Sequence, residues 1–222
     1  MSKKVVVVFS GGLDSTTLLY HLREEGWELR ALSVNYGQRH QKQELDAAQQ
    51  IADRLGIDRQ TLDLTTLVKF LGKNSLSDLS VPVPEGPYAE ESMKLTTVPN
   101  RNMILLSVAI GWASSLKYNA VAFGAHGGPY TPYPDCQPDF TEAMDRVAGV
   151  CDWTPIHVLA PFVHWEKADI VRRGAELGVP FASTWSCYQG GRKHCGRCGT
   201  CLDRKAAFAK SAVPDPTEYE ER

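Results

Sequence analysis

The sequence predicts an α/β fold, a doubly wound parallel sheet, with a C-terminal zinc-binding loop. Residues 5–9 form a continuous apolar, β-branched run, the pattern of a strand covered on both faces. Behind it, strand-like segments alternate with helix-like ones of about ten to fifteen residues, which calls for a parallel sheet with right-handed crossovers. Four of the six cysteines crowd between positions 187 and 201, and these mark the loop.

The elements follow in order. After the first strand, residues 16–25 carry Leu18, Leu19 and Leu22 at helical spacing. Residues 29–34 read as a second strand, and 41–55 as a helix with Leu45, Ala48, Ala52 and Leu55 on one face, stopped by Gly56. Residues 59–64 make a third strand. From 72 to 99 the periodicity is lost and Pro82, Pro84, Gly86, Pro87 and Pro99 accumulate, which predicts a long loop. Residues 103–116 read as a largely buried helix, and 120–123 as a strand ending at Gly124. A second irregular stretch, "HGGPYTPYPDCQPD", spans 126–139. A helix over 140–150, a strand over 157–159 and a helix over 165–177 closed by Gly178 complete the alternation. The charged, proline-containing residues from 214 onward are expected to fray. The expected organisation is an α/β unit at 1–185, a cysteine element at 186–213 and a tail at 214–222.

With 222 residues, 43% of them hydrophobic, the chain can bury one well-formed core. Its formal net charge of −2 supplies no broad basic field for a nucleic acid duplex or an acidic membrane. The first apolar run is too short for a signal sequence or a membrane span. Clustered rather than dispersed cysteines suit a cytoplasmic protein with a metal site better than a secreted disulfide scaffold.

In open α/β sheets ligands sit beyond the carboxyl ends of the strands, and the first strand-to-helix turn is the usual anion site. Here that turn reads "SGGLDS", residues 10–15. Gly11 and Gly12 permit close backbone approach, the following helix offers unpaired N–H groups, and Ser10, Ser15 and Thr16 add hydroxyls. A phosphate or pyrophosphate is the natural guest. The turn matches neither the dinucleotide G-x-G-x-x-G pattern nor the Walker loop with its lysine. With no basic residue in the loop, Asp14 makes chemical sense as the holder of a divalent cation that bridges to phosphate oxygens. The alternative is a tight turn in which Asp14 and Ser15 serve only as helix caps.

Cys187, Cys195, Cys198 and Cys201 form a C-x7-C-x2-C-x2-C arrangement among glycines. Four thiolates close a tetrahedral shell and leave no open position, so zinc is the leading reading and its role structural. An iron–sulfur cluster also accepts four thiolates, and a set of ordinary buried cysteines is the plain alternative. His194, beside Cys195, is a possible substitute ligand. Cys136 and Cys151 lie outside the cluster, Cys136 within an irregular polar loop.

The strand-then-"SGGLDS" junction resembles the signature of the PP-loop ATP pyrophosphatases, enzymes that activate oxygen atoms by adenylation and release pyrophosphate. Read together with "VNYGQRH" (34–40), "VPNRNMILLSVA" (98–109), "YPDCQPDF" (133–140), "KADIV" (167–171) and the cysteine block, the chain resembles the 7-cyano-7-deazaguanine synthase family over nearly its whole length. The resemblance implies an adenine nucleotide alpha hydrolase-like fold and ATP-dependent conversion of 7-carboxy-7-deazaguanine and ammonia to the nitrile. The implied cofactors are ATP, Mg2+ and Zn2+. It implies an ATP site made of Phe9, Ser10, Gly11, Gly12, Leu13, Asp14, Ser15, Thr16, Thr17, Leu18 and Leu19, with Asp14 on the cation. Asp14, Ser15, Arg101 and Lys167 are the implied catalytic residues; Tyr36, Gln38, Arg101, Tyr133 and Asp135 the implied substrate contacts. Asp135 is expected to read a guanine-like edge, and Tyr36, Tyr130 and Tyr133 to stack on a flat base; His40 and His126 are either site residues or hydrogen-bonded loop histidines. The resemblance also implies a homodimer; the charge, the short apolar run and the cysteine distribution add the expectation of a cytoplasmic protein with no nucleic acid or membrane partner.

The chain departs from the family pattern just before "YPDC". There the family carries N-x-x-D-[YF]-S-G, whereas this sequence has His126 for the Asn, Pro129 for the Asp and Pro132 for the Gly, and Gln137 replaces an Arg. These changes raise a second reading, an enzyme that stops at the amide. Another adenylating branch, such as a tRNA-modifying enzyme, and a non-enzymatic zinc-stapled nucleotide-binding module are the remaining rivals.

Overall fold

The computed structural model describes residues 3–127 and 133–221. The expectations placed on Pro129, Tyr130 and Pro132 lie outside the described residues.

Strand β1 (Lys4–Val8) feeds helix α1 (Leu13–Glu24), β2 (Glu28–Asn35) feeds α2 (Gln41–Leu55), and β3 (Arg59–Asp63) follows. After the proline-rich stretch come α3 (Glu90–Thr96), α4 (Arg101–Ser115), β4 (Ala120–Ala122), α5 (Pro138–Ala148), β5 (His157–Leu159), α6 (Lys167–Glu176) and α7 (Gly199–Ser211). The five strands pair in the order β3-β2-β1-β4-β5, all parallel. Val5 lies between Leu29 of β2 and Ala120 of β4. Strand order therefore reverses between β1 and β4, and the crevice at their carboxyl ends is where such a sheet receives its ligand.

Because side chains alternate along a strand, the buried valines of β1 serve two cores. Val5 and Val7 join Leu18 and Leu22 of α1, Ile51 of α2, Ile170 of α6 and Phe208 of α7 on one face. Val6 packs with Leu106 and Ile110 of α4 and Met144 of α5 on the other. Ala207 and Phe208 place the cysteine element's helix within the first core. Among the described residues no helix is long and apolar enough to cross a membrane.

Most expected elements shift by two residues or fewer at their ends, and three features differ by more. Helix α1 begins at Leu13, not at residue 16, because Gly12 takes the extended N-cap conformation and Leu13–Ser15 become the first helical turn. The long loop contains α3, a seven-residue helix whose Ala89 N–H donates to Ser92 Oγ at 2.9 Å; its shortness and proline-rich flanks hide it. The tail expected to fray is docked: the Glu220 N–H donates to the His194 carbonyl at 2.8 Å, and the Tyr219 hydroxyl to Asp215 at 2.7 Å. Buried Arg204 fastens it by donating to Thr217 Oγ1 at 2.7 Å, so charged composition did not translate into solvation.

Candidate active site

At the end of β1 the chain turns through Ser10, Gly11 and Gly12. Gly11 has φ +77°, and a Cβ there would stand 2.6 Å from the Ala48 backbone nitrogen and 2.7 Å from the Glu44 carbonyl oxygen. Only glycine fits both the left-handed conformation and the contact with α2. Gly12 caps α1 without a side-chain hydrogen bond, and the first helical bond runs from Thr16 N–H to the Gly12 carbonyl at 3.0 Å. The N–H groups of Leu13, Asp14 and Ser15 thus precede the ladder, at the positive end of the helix. Ser10 Oγ lies 3.2 Å from Ser15 Oγ and accepts the Gly12 N–H at 3.2 Å. Backbone donors, hydroxyls and the helix dipole together make an anion cradle.

A charge cluster stands beside it. Lys167, the first residue of α6, sets its ammonium 3.3 Å from Asp14 Oδ2 and 2.8 Å from Asp203 Oδ2. His126 Nε2 is 3.8 Å from the same Asp14 oxygen. Burial pushes the Asp14 carboxyl up, but Lys167 and His126 outweigh it and hold the group below the usual carboxylate range. Burial acts against the Lys167 ammonium too, and Asp14 and Asp203 reverse it, so the lysine stays charged. Asp14 Oδ1 is buried with no hydrogen-bond partner among the described residues, which fits a carboxylate with a lone pair left for a cation.

The cradle and cluster open into one cavity of about 570 Å³. Of the expected nucleotide contacts, Phe9, Ser10, Gly12, Leu13, Asp14 and Ser15 line it. Gly11 supports the wall from behind, while Thr16, Thr17, Leu18 and Leu19 are fully buried, the two leucines within the main core. The helix turns away from the cavity after its first turn, so a contact stretch read linearly runs too long.

Another part of the lining is aromatic and cationic. Arg101, at the start of α4, donates to the Tyr36 hydroxyl at 3.5 Å and remains charged despite burial because Tyr36, Tyr188 and Asp135 surround it. Tyr133 stands edge-on to Tyr88, with ring centroids 6.2 Å apart, and the Tyr88 and Tyr188 hydroxyls are 3.3 Å apart. Gln38 lines the cavity, yet its amide is occupied: it accepts the Tyr36 N–H at 3.0 Å and donates to the Val34 carbonyl and Glu44. Asp135 is not among the lining residues; its carboxylate accepts the Asn102 N–H at 3.4 Å at the start of α4. The geometry thus gives Gln38 and Asp135 internal partners where the sequence reading had assigned them to substrate.

The four expected cysteines converge. Their sulfurs lie within 4.8 Å of one another, all buried, as a metal-binding cluster would require. Backbone N–H groups of Gln189 and Cys195 point at Cys187 Sγ, and those of Arg197 and Cys198 at Cys195 Sγ, the donor pattern that stabilises thiolates. His194 is not placed as a substitute ligand: its Nε2 accepts the Ser186 N–H at 3.1 Å, and its ring lies tilted against Trp185, centroids 4.3 Å apart. Cys136 is half-buried on the cavity wall and Cys151 is exposed.

Residues 4–212 match the family model described as "Queuosine biosynthesis protein QueC". The chain belongs to the QueC family. Among curated relatives, the 7-cyano-7-deazaguanine synthase of Hahella chejuensis is 50% identical over 98% of this chain and 93% of that protein. The protein of the same name from Pseudoalteromonas atlantica is 48% identical over 99% and 100%. Solved structures share the fold: NMN synthetase from Francisella tularensis superposes with a TM-score of 0.53 over 96% of this chain and 79% of that one, at 13% identity. A 4-thiouridine synthetase, solved with RNA and bound ATP, gives 0.54 over 82% and 42%, at 18% identity. These distant likenesses bear out the doubly wound parallel α/β architecture.

In this QueC-family chain, sequence reasoning missed Asp203, Tyr88 and Tyr188. Asp203 reaches Lys167 from the helix that begins among the cysteines, and both tyrosines come from glycine- and proline-rich segments without periodicity. No local signal marks them; "CLD" after the last cysteine pair is the nearest hint.

Proposed function

We propose that the chain converts 7-carboxy-7-deazaguanine and ammonia to 7-cyano-7-deazaguanine at the expense of ATP, as a cytoplasmic homodimer. The observation that carries the reading is one cavity whose lining joins an anion cradle and the Asp14–Lys167 pair to the Arg101–tyrosine group.

In this reading the substrate carboxylate oxygen attacks the α-phosphorus of ATP, and the bond to pyrophosphate breaks. The N–H groups of Leu13, Asp14 and Ser15 receive the pyrophosphate charge, and Lys167 offsets charge on the phosphoryl group as it transfers. Arg101 holds the acid's carboxylate, while Tyr88, Tyr133 and Tyr188 enclose its flat ring system. Ammonia then displaces AMP to give the amide. A second adenylation, on the amide oxygen, followed by loss of AMP, gives the nitrile.

The unpartnered Asp14 oxygen fits Mg2+, which when bound supplies charge neutralisation between phosphate oxygens. Cys187, Cys195, Cys198 and Cys201 fit Zn2+ in a closed, structural shell. That shell supports the wall: Gly199 packs on Tyr88, and Arg197 pairs with Glu85 at 2.9 Å.

The substitutions at His126, Pro129, Pro132 and Gln137 favour one second reading, arrest at the amide. A single experiment separates the two. The chain is incubated with the acid, ATP, Mg2+ and ammonium, and products are weighed by mass spectrometry. Nitrile is expected, and Lys167→Ala should abolish AMP formation. Amide that persists without nitrile selects the second reading, and absence of both overturns the proposal.

A further inference from the structure

Ammonium is abundant at neutral pH, but only its deprotonated form attacks an acyl adenylate, so the proposed reaction needs a base at the cavity. The carboxylates lining the cavity include Asp14 and Asp203, both committed to Lys167, and Glu166, which pairs with Lys210. Glu44 differs, having a histidine and an amide for partners.

His40 sits at the N-cap of α2, and its Nε2 lies 3.5 Å from Glu44 Oε1 one turn further on. Glu44 Oε2 accepts from Gln38 Nε2 at 3.0 Å, which fixes the carboxylate. Burial pushes the Glu44 carboxyl up, but His40, Gln38 and Arg101 more than reverse this, so it stays ionised. Nε2, directed at the Glu44 carboxylate, is the nitrogen placed to carry a proton, and Nδ1 is the nitrogen whose lone pair faces the cavity when the imidazole is neutral. His40 is 3% exposed and lines the cavity, and its Nδ1 is buried with no hydrogen-bond partner among the described residues. A buried imidazole nitrogen with a free lone pair, backed by a carboxylate, is the arrangement of a general base.

Its place in the site is suitable. Gly11 of the anion cradle abuts the Glu44 backbone, the His40 ring lies 5.5 Å from that of Tyr188, and Gln38 links the pair to Tyr36 and Arg101. The pair therefore stands between the cradle and the wall proposed for the acid. The ionisable groups around it are Tyr36, Arg101 and Tyr188.

We propose that His40, positioned by Glu44, binds ammonium and removes its proton for the amide-forming step. This rests on the function proposed above. One proton passes from ammonium to Nδ1, giving ammonia and an imidazolium whose charge Glu44 offsets. The ammonia lone pair forms the C–N bond at the acyl carbon, and the C–O bond breaks with its electron pair leaving on AMP. A second proton from that nitrogen goes to the departing phosphate, two remain in the amide, and the imidazolium returns its proton to water. His40 is the catalytic residue of this step and Glu44 a positioning residue.

The test uses the full chain and two nucleophiles. Acid-dependent ATP–pyrophosphate exchange needs no nitrogen source and reads adenylation alone. Amide formation from ammonium needs the base, whereas hydroxamate formation from hydroxylamine, already uncharged at neutral pH, does not. In His40→Ala, exchange and hydroxamate formation should be nearly unchanged, while amide formation at neutral pH falls by about 10²-fold. The deficit should shrink as pH rises and free ammonia accumulates. Equal loss with both nucleophiles, or no loss with ammonium, overturns the proposal. If His40→Ala also loses exchange, the near-isosteric Glu44→Gln decides: an ammonium-selective loss supports the pair, and any other result overturns it. A wild-type chain without acid-dependent exchange overturns the substrate assignment itself, and this inference with it; the variant patterns bear on the base alone.

Discussion

Replacing Gly11 by alanine tests the link between the glycine loop and the fold. The φ of +77° costs an L-residue about 1–2 kcal/mol. The new Cβ would stand 2.6 Å and 2.7 Å from backbone atoms of Ala48 and Glu44, which cannot rotate aside, so α2 or the loop must yield by about 0.7–0.8 Å to restore a 3.4 Å contact. Overpacking of that kind costs about 1–3 kcal/mol, for a total near 2–5 kcal/mol. At about 2–4 °C per kcal/mol for a chain of this length, Tm should fall by about 4–20 °C. Displacing the cradle by most of an ångström should also slow ATP–pyrophosphate exchange by about 10²-fold. Gly12→Ala is the control: at φ −76° its Cβ meets only Ser10 Oγ at 3.2 Å and the Trp185 carbonyl at 3.3 Å. Its stability loss should stay within about 1 kcal/mol while exchange still falls, because Gly12 lines the cavity. Thermal unfolding by circular dichroism measures both variants. A Gly11→Ala chain with unchanged Tm, or a Gly12→Ala chain falling as far, would refute the reasoning.

Two further predictions concern the cysteines. Cys201→Ser should lose the metal proposed for the four thiols and, with it, more than about 4 kcal/mol of stability, the scale of lost metal sites. Because Cys198 bridges to Glu85 and Arg197 pairs with it, the same variant should be cut faster by trypsin after Lys94; metal content and digestion time courses check both. Burial and the Asp135 charge push the Cys136 thiol up to about 12, so it is neutral below that pH. Iodoacetamide at mildly alkaline pH should therefore modify exposed Cys151 first, as peptide mass mapping would show, and early labelling of Cys136 would contradict that.

Much of the fold was legible because local patterns and burial agree. The bounds of α2 and β5 follow from spacing and a stop at Gly56, and the valine run required a strand buried on both faces. Where pattern and packing part, the reading failed. Helix α3 is too short for periodicity to register. The tail has a solvated composition, yet Arg204 and Tyr219 tie it down. The last four residues of the expected nucleotide stretch, Thr16 to Leu19, lie off the cavity for a related reason: sequence is linear, whereas a helix presents one face and then climbs away.

By itself the sequence determined the anion cradle, the four-thiol cluster and the parallel sheet. Each is local chemistry: glycines where a backbone must approach, sulfurs at closing distances along one short segment, apolar runs where both faces are covered. Only the tertiary structure decided which charges meet. Lys167, Asp14 and Asp203 come from three helices far apart in the chain, and His40 becomes a candidate base only when buried beside Glu44 with Nδ1 left unpartnered. A side chain's partners and solvation are set by what packs around it, and no spacing along the chain records that.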